Sequence, residues 1–211
     1  MRDSLPAGFE LPRAIGALCD WIEDRGLLLP SEGGRVGVLY PEADLRAGWT
    51  ATRRPGGTRI GLVARGPEPS AASLHGRTDL ANRLSFFAET GGDGSQAAFW
   101  LDDEGTQHIV HLGSGSGSMM ACVLANSDID FLRLLAIGYD EICWSDELDR
   151  PPNAAGELHV EPNEPFREWV CTTFGVDIPT LGVEIIPNVA EYGDDSPDPF
   201  CRWLNAVWEL S

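Results

Sequence analysis

From Leu84 to Leu124 the chain runs in apolar stretches of four to six residues, broken by short turns rich in Gly, Ser and Asp. Leu84-Ser-Phe-Phe87 leads to the turn Gly91-Gly-Asp-Gly94. Gln96 to Leu101 and Gln107 to Leu112 read as the arms of a hairpin across Asp102-Asp-Glu-Gly105, where Gly105 suits a positive φ. Gly113-Ser-Gly-Ser-Gly-Ser118 is a further flexible turn, and Met119 to Leu124 a third strand. The hydrophobic period then switches. Ser127 and Asp128 cap a helix carrying Phe131, Leu134, Leu135 and Gly138, expected over 128–143. Strands in series followed by a helix predict an α+β fold, a mixed or antiparallel sheet packed with helices, and not repeated βαβ units.

The flanks are read by the same rules. Leu11, Ile15, Leu18 and Ile22 recur at helical steps and predict a helix over 10–25, with Gly26 placed to stop it. Leu27-Leu-Leu-Pro30 leads into a Gly turn, and 36–40 and 59–64 read as strands. Residues 65–76 read as a loop. Pro165 starts a helix bearing Phe166, Trp169 and Val170 that Gly175 can end. Pro199 starts another, with Phe200, Trp203, Leu204, Val207 and Trp208 on one stripe. A chain of 211 residues that is 43% hydrophobic is expected to form one domain, 1–211, and is not disordered.

Charge narrows the partners. Asp and Glu number 33 against 15 Arg and no Lys, for a net charge of −18. Residues 1–83 carry 11 Arg and 10 acids, whereas residues 84–211 carry 4 Arg and 23 acids. Such a surface repels nucleic acid and anionic lipid and attracts basic partners. Alone, the same charge serves solubility. No stretch approaches the roughly 18 apolar residues of a membrane span. The first residues, with Arg2, Asp3, Glu10 and Arg13, lack the apolar centre of a secretory signal, so a cytoplasmic location is expected. Cys19, Cys122, Cys143, Cys171 and Cys201 are odd in number and widely spaced, and read as small buried thiols.

Sites of chemistry find little support. The Gly/Ser run 113–118 lacks the Gly-Lys-Ser/Thr of a phosphate loop and has Gly, not Ser, at 115. His108 and His111 are three apart on a strand and face opposite ways, while His75 and His159 are isolated. No metal and no cofactor is expected. The acids cluster at Asp102-Asp-Glu104, at Asp140-Glu141, at Asp146-Glu147 with Asp149, and at Asp194-Asp195. Each reads as a solvated turn; as a set they could make one negative face.

The order of motifs carries a resemblance. Phe86-Phe-Ala-Glu-Thr-Gly-Gly-Asp-Gly94, a strand ending Phe99-Trp-Leu101, an acidic Gly turn and Ile109-Val-His-Leu-Gly113 precede a Ser/Gly loop, an aliphatic strand and Asp130-Phe-Leu-Arg-Leu-Leu135. Glu164-Pro-Phe-Arg-Glu-Trp169, Phe174-Gly175 and Pro197-Asp-Pro-Phe with Trp203 follow. This resembles the SUKH (Smi/Knr-like) superfamily, which includes the yeast cell-wall assembly regulator and many bacterial immunity proteins. The match covers 82–145 best and the helical 160–208 more loosely; residues 1–81 depart from the pattern.

The resemblance implies a non-enzymatic bacterial immunity protein. It would bind and neutralise a protein toxin delivered by neighbouring cells, often a nuclease or deaminase. The expected contact is an acidic face built from Asp102, Asp103, Glu104, Asp140, Glu141, Asp146 and Glu147, entering a basic active site. A regulatory or scaffold module of the same fold is the alternative, and a carboxylate-dependent hydrolase the remote one.

Overall fold

The computed structural model of the chain describes residues 5–31, 34–48, 53–63, 81–152 and 159–209. The loop expected at 65–76, with His75, lies outside the described residues. In chain order the elements are α1 (Arg13–Asp24), β1 (Leu28–Ser31), β2 (Gly34–Val38), α2 (Glu42–Gly48), β3 (Arg53–Pro55), β4 (Gly61–Val63) and β5 (Leu84–Glu89). There follow β6 (Gln96–Leu101), β7 (Gln107–Leu112), β8 (Ala121–Ala125), α3 (Asp128–Ile137), β9 (His159–Glu161), α4 (Glu164–Phe174) and α5 (Pro199–Glu209).

Seven strands form one antiparallel sheet in the order β1-β2-β4-β5-β6-β7-β8, and β3 pairs in parallel with β9. The fold is α+β, as the strand series implies. Alternation along β6 and β7 divides the apolar residues between two layers. Ala97, Phe99 and Ile109 enter the larger layer with Leu18 of α1, Phe131 of α3 and Phe166 of α4. Ala98, Trp100, Val110 and Leu112 enter the second layer with Phe200, Leu204 and Val207 of α5. Covered on both faces, these strands read as nearly unbroken apolar runs. Phe87 and Phe99 stack at 4.3 Å in the larger layer, with Phe131 edge-on to Phe87 at 5.4 Å.

Local chemistry sets the helix ends. Ser127 caps α3 by accepting from Asp130 N at 3.1 Å. Asp128 reaches across instead and accepts from Ala14 N at 2.6 Å, tying the start of α1 to the start of α3. Asn163 caps α4, accepting from Phe166 N at 3.2 Å, and Gly175 ends it at φ 65°. The helix expected over 128–143 ends at Ile137. Gly138 turns left-handed there, at φ 102°, and packs against Gly56 and Pro162. Asp140 and Glu141 therefore lie in irregular chain beyond the helix. Hydropathy periodicity missed β1, α2, β3 and β9, each too short to show a period.

The β8 edge is closed by the segment before α5. Ala121 N donates to Ala190 O at 2.8 Å, and Met120 bridges Glu191. This brings residues 189–195 beside the β7–β8 loop.

Candidate functional site

The seven carboxylates of the expected face fall into two groups. Asp102, Asp103 and Glu104 occupy the β6–β7 turn, where β6 ends. Glu141 accepts from Gly92 N at 3.0 Å, on the turn where β6 begins. Six residues of strand, about 20 Å, separate the two ends. The acids stand apart because consecutive turns of an antiparallel meander lie at opposite ends of the sheet.

In the first group two of the three carboxylates are engaged by their own chain. Asp102 Oδ1 accepts from Glu104 N at 3.0 Å and Thr106 N at 2.7 Å, and Oδ2 lies 2.8 Å from His108 Nε2. The hydrogen bond with His108 lowers the Asp102 pKa. Asp103 pairs with Arg83 at 2.7 Å. Arg83 also donates to Leu101 O and sits 5.1 Å from the Trp203 ring centroid. Glu104 is exposed.

The second group is mixed. Asp140 is buried and accepts from Thr58 Oγ1 at 2.6 Å. Glu141 Oε1 fastens the segment after α3 to the β5–β6 turn through Gly92 N, and its Oε2 accepts from Trp144 Nε1 at 2.7 Å within that segment. Asp146 and Glu147 are exposed on a short 3-10 turn. Glu147 holds its proton more tightly than an ordinary Glu, through partial burial first and then through the charges of Asp146, Glu141 and Asp140.

The same end gathers further acids. Ser145 Oγ bonds Glu191, and Tyr192 ties the segment down from both its atoms, N to Met119 O at 2.9 Å and OH to Gly113 O at 2.7 Å. Asp194 and Asp195 are exposed beyond it. Arg150 is nearby but pairs with Asp149 at 3.4 Å. Met119 is exposed on the loop that carries it, held between buried Ser118 and Met120.

The carboxylate that organises this end is Asp93, which composition and spacing did not single out. It accepts from Ser95 N at 3.0 Å, Ser95 Oγ at 2.9 Å, Ser114 Oγ at 2.7 Å and Ser118 N at 2.8 Å. Burial works to raise its pKa, but the donors from Ser118, Ser114 and Ser95 outweigh it and hold the carboxyl at about 2. The Gly/Ser composition of 113–118 now has a physical reason. A Cβ on Gly117 would lie 2.8 Å from Asp93 Oδ2, so the loop closes around the carboxylate only without a side chain there. The signal in the sequence was the pairing of a Gly-Asp-Gly-Ser turn with a Gly/Ser loop. Asp93→Ala is expected to cost roughly 2–3 kcal/mol in urea unfolding, because two N–H groups and two hydroxyls lose one acceptor. A loss below about 0.5 kcal/mol would mean that the loop is held by other contacts.

The histidines remain apart, as strand alternation requires. His108 pairs with Asp102 at the far turn, and His111 is fully buried. Among the described residues no group of His, Cys, Asp and Glu is arranged to hold a metal ion. Among them, too, no helix is long and apolar enough to cross a membrane.

No family model, curated protein or solved structure matches this chain.

Proposed function

We propose that this chain is a non-catalytic immunity protein of the SUKH type, which neutralises a basic protein toxin by binding it at the loop end of the sheet. The observation that carries the reading is the unequal use of carboxylates. Asp93, Asp102, Glu141 and Asp198 spend their oxygens on backbone N–H groups of their own chain. Asp146, Glu147 and Asp195 stay exposed and are not used in this way. Asp194, also exposed, gives one oxygen to Glu191 N at 2.8 Å, and the segments that carry these acids are cross-braced through Ser145 and Glu191. Partial burial, and after it repulsion from Asp146, Glu141 and Asp140, favours a proton on Glu147. A cationic partner would relieve the same repulsion. Rigid, clustered carboxylates also steer a basic partner into encounter.

Of the expected face, this reading keeps Asp146 and Glu147 as contact residues and gives Glu141 and Asp140 a positioning part. Asp102, Asp103 and Glu104, at the far end, are left to the β6–β7 turn. A regulatory module with an endogenous partner would use the same surface; the product of the adjacent gene separates the two.

The test is co-purification with that gene product, followed by stopped-flow association across ionic strength. The combined variant Asp146→Asn, Glu147→Gln, Asp194→Asn, Asp195→Asn is expected to associate about tenfold or more slowly at low salt, with a shallower salt dependence. Equal rates and equal slopes would remove this surface from the interface. Failure of the neighbouring product to bind at all would remove the immunity reading.

A further inference from the structure

The loop end holds a buried group that partner binding does not require. His111 on β7 has both ring nitrogens engaged, Nδ1 2.9 Å from Met120 O and Nε2 3.0 Å from Thr90 Oγ1. A carbonyl oxygen only accepts, so Nδ1 carries the proton and Nε2 accepts from the Thr90 hydroxyl. The ring thus joins the residue after β5 to the residue before β8. Thr90 is itself wired into this end, its N donating to Ser95 O and its O accepting from Ile142 N, both at 3.0 Å. Asp93 binds the same two loops together from the other side. We propose that His111 and Asp93 form an acid-released clasp, in which protonation of the ring frees residues 90–95 and 113–120 while the centre of the sheet stays folded.

A second proton on Nε2 turns an acceptor into a donor facing Thr90. The hydroxyl must then rotate, and its own proton loses its acceptor. The ring also becomes a cation shut away from water, which is costly unless paired. Asp93 is the charged group that favours this cation. Around them stand the Cys122 thiol, the register partner of His111 on β8, and Cys143, Glu141 and Tyr192, which surround the loops. Burial outweighs the hydrogen bond to Met120 O and the charge of Asp93 and pushes the ring down to about 4, against about 6.5 in an open chain. The open state therefore binds the proton more readily. The clasp is complete above about pH 6.5, weakens as the pH falls, and the effect levels off near 4. Protonation of Asp93 follows as a separate step near 2.

Hydrogen exchange on the full chain between pH 7.5 and 4.5, corrected for intrinsic rates, tests the clasp. Below about pH 6.5 the opening constant of the Gly115 and Ser118 amides is expected to rise up to about tenfold per pH unit, while Phe99 and Val110 stay flat. His111→Gln supplies one donor and one acceptor and does not titrate, so its loop opening should be independent of pH. An NMR titration of the wild-type ring, which needs no variant, should give a midpoint far below 6.5 that tracks the loop. Acid opening unchanged in His111→Gln would overturn the proposal. So would a ring that titrates near 6.5 with the loops closed, or loops that ignore pH.

Discussion

Asp198→Ala is expected to lower the unfolding free energy by about 3–5 kcal/mol and to loosen α5 from the sheet. Asp198 is fully buried, and burial raises its pKa. Its Oδ1 caps α5, accepting from Phe200 N at 3.0 Å and Cys201 N at 2.9 Å, and its Oδ2 accepts from Val123 N in β8 at 3.0 Å. One side chain thus starts the helix and fixes it to its strand. Removing it orphans three N–H groups, two of them at a helix start. The layer beneath depends on that docking, since Phe200, Leu204 and Val207 are buried against Trp100 and Val110. Trp203, partly buried against that layer, reports release of α5 through its fluorescence. Asp198→Asn should fall between wild type and Ala. Its oxygen can still cap α5, but its amide would face the Val123 N–H donor to donor. An Ala variant within about 1 kcal/mol of wild type would show that packing alone seats the helix.

Gly56→Ala is expected to be at least as damaging, by about 3 kcal/mol or more, with loss of folded protein in expression as the extreme. A Cβ on Gly56 would fall 1.9 Å from Gly138 O and 2.5 Å from Gly138 C. Both sides of that contact are backbone, so no rotamer can move aside. The neighbourhood is held as well: Gly56 N donates to Glu161 O at 2.6 Å, and Tyr40 OH donates to Gly56 O at 2.8 Å. Gly94→Ala is the control. Gly94 has a positive φ of 93° and open space where its Cβ would stand, so it should lose only the roughly 1 kcal/mol of left-handed strain. Equal midpoints for the two variants in urea unfolding would contradict the close approach of Gly56 and Gly138.

Asp198 and Gly56 show where reading the chain by itself stops. Pro199 marks the start of α5, but that the preceding Asp also binds a strand 75 residues away is a fact of packing. Nothing near Gly56 announces that Gly138 will touch it. The end of α3 is a similar case. Phe131, Leu134 and Leu135 predict the helix, yet the left-handed turn at Gly138 ends it at Ile137, six residues short of the expected boundary. The turn is fixed by Pro162 and Gly56 crowding that position. The candidate site behaves likewise. The acids were visible as clusters, and their fates were not. Asp102 and Asp93 look alike as turn residues, but Asp102 serves its own turn and Asp93 gathers donors from a loop some twenty residues on.

The sequence by itself determined the series of strands from Leu84 to Ala125, the cap at Ser127, the stop at Gly175 and the apolar stripe of α5. In each, the cause lies within one turn or one strand: alternation, a side-chain oxygen near a free N–H, a residue free to take positive φ. Tertiary structure alone decided that helices cover both faces of the sheet, that three-residue strands β3 and β9 pair in parallel, and that the acidic turns lie at opposite ends. It also decided which carboxylates are held inward and which are left to solvent. Those outcomes depend on which distant donors arrive beside each oxygen, and a local pattern carries no record of them.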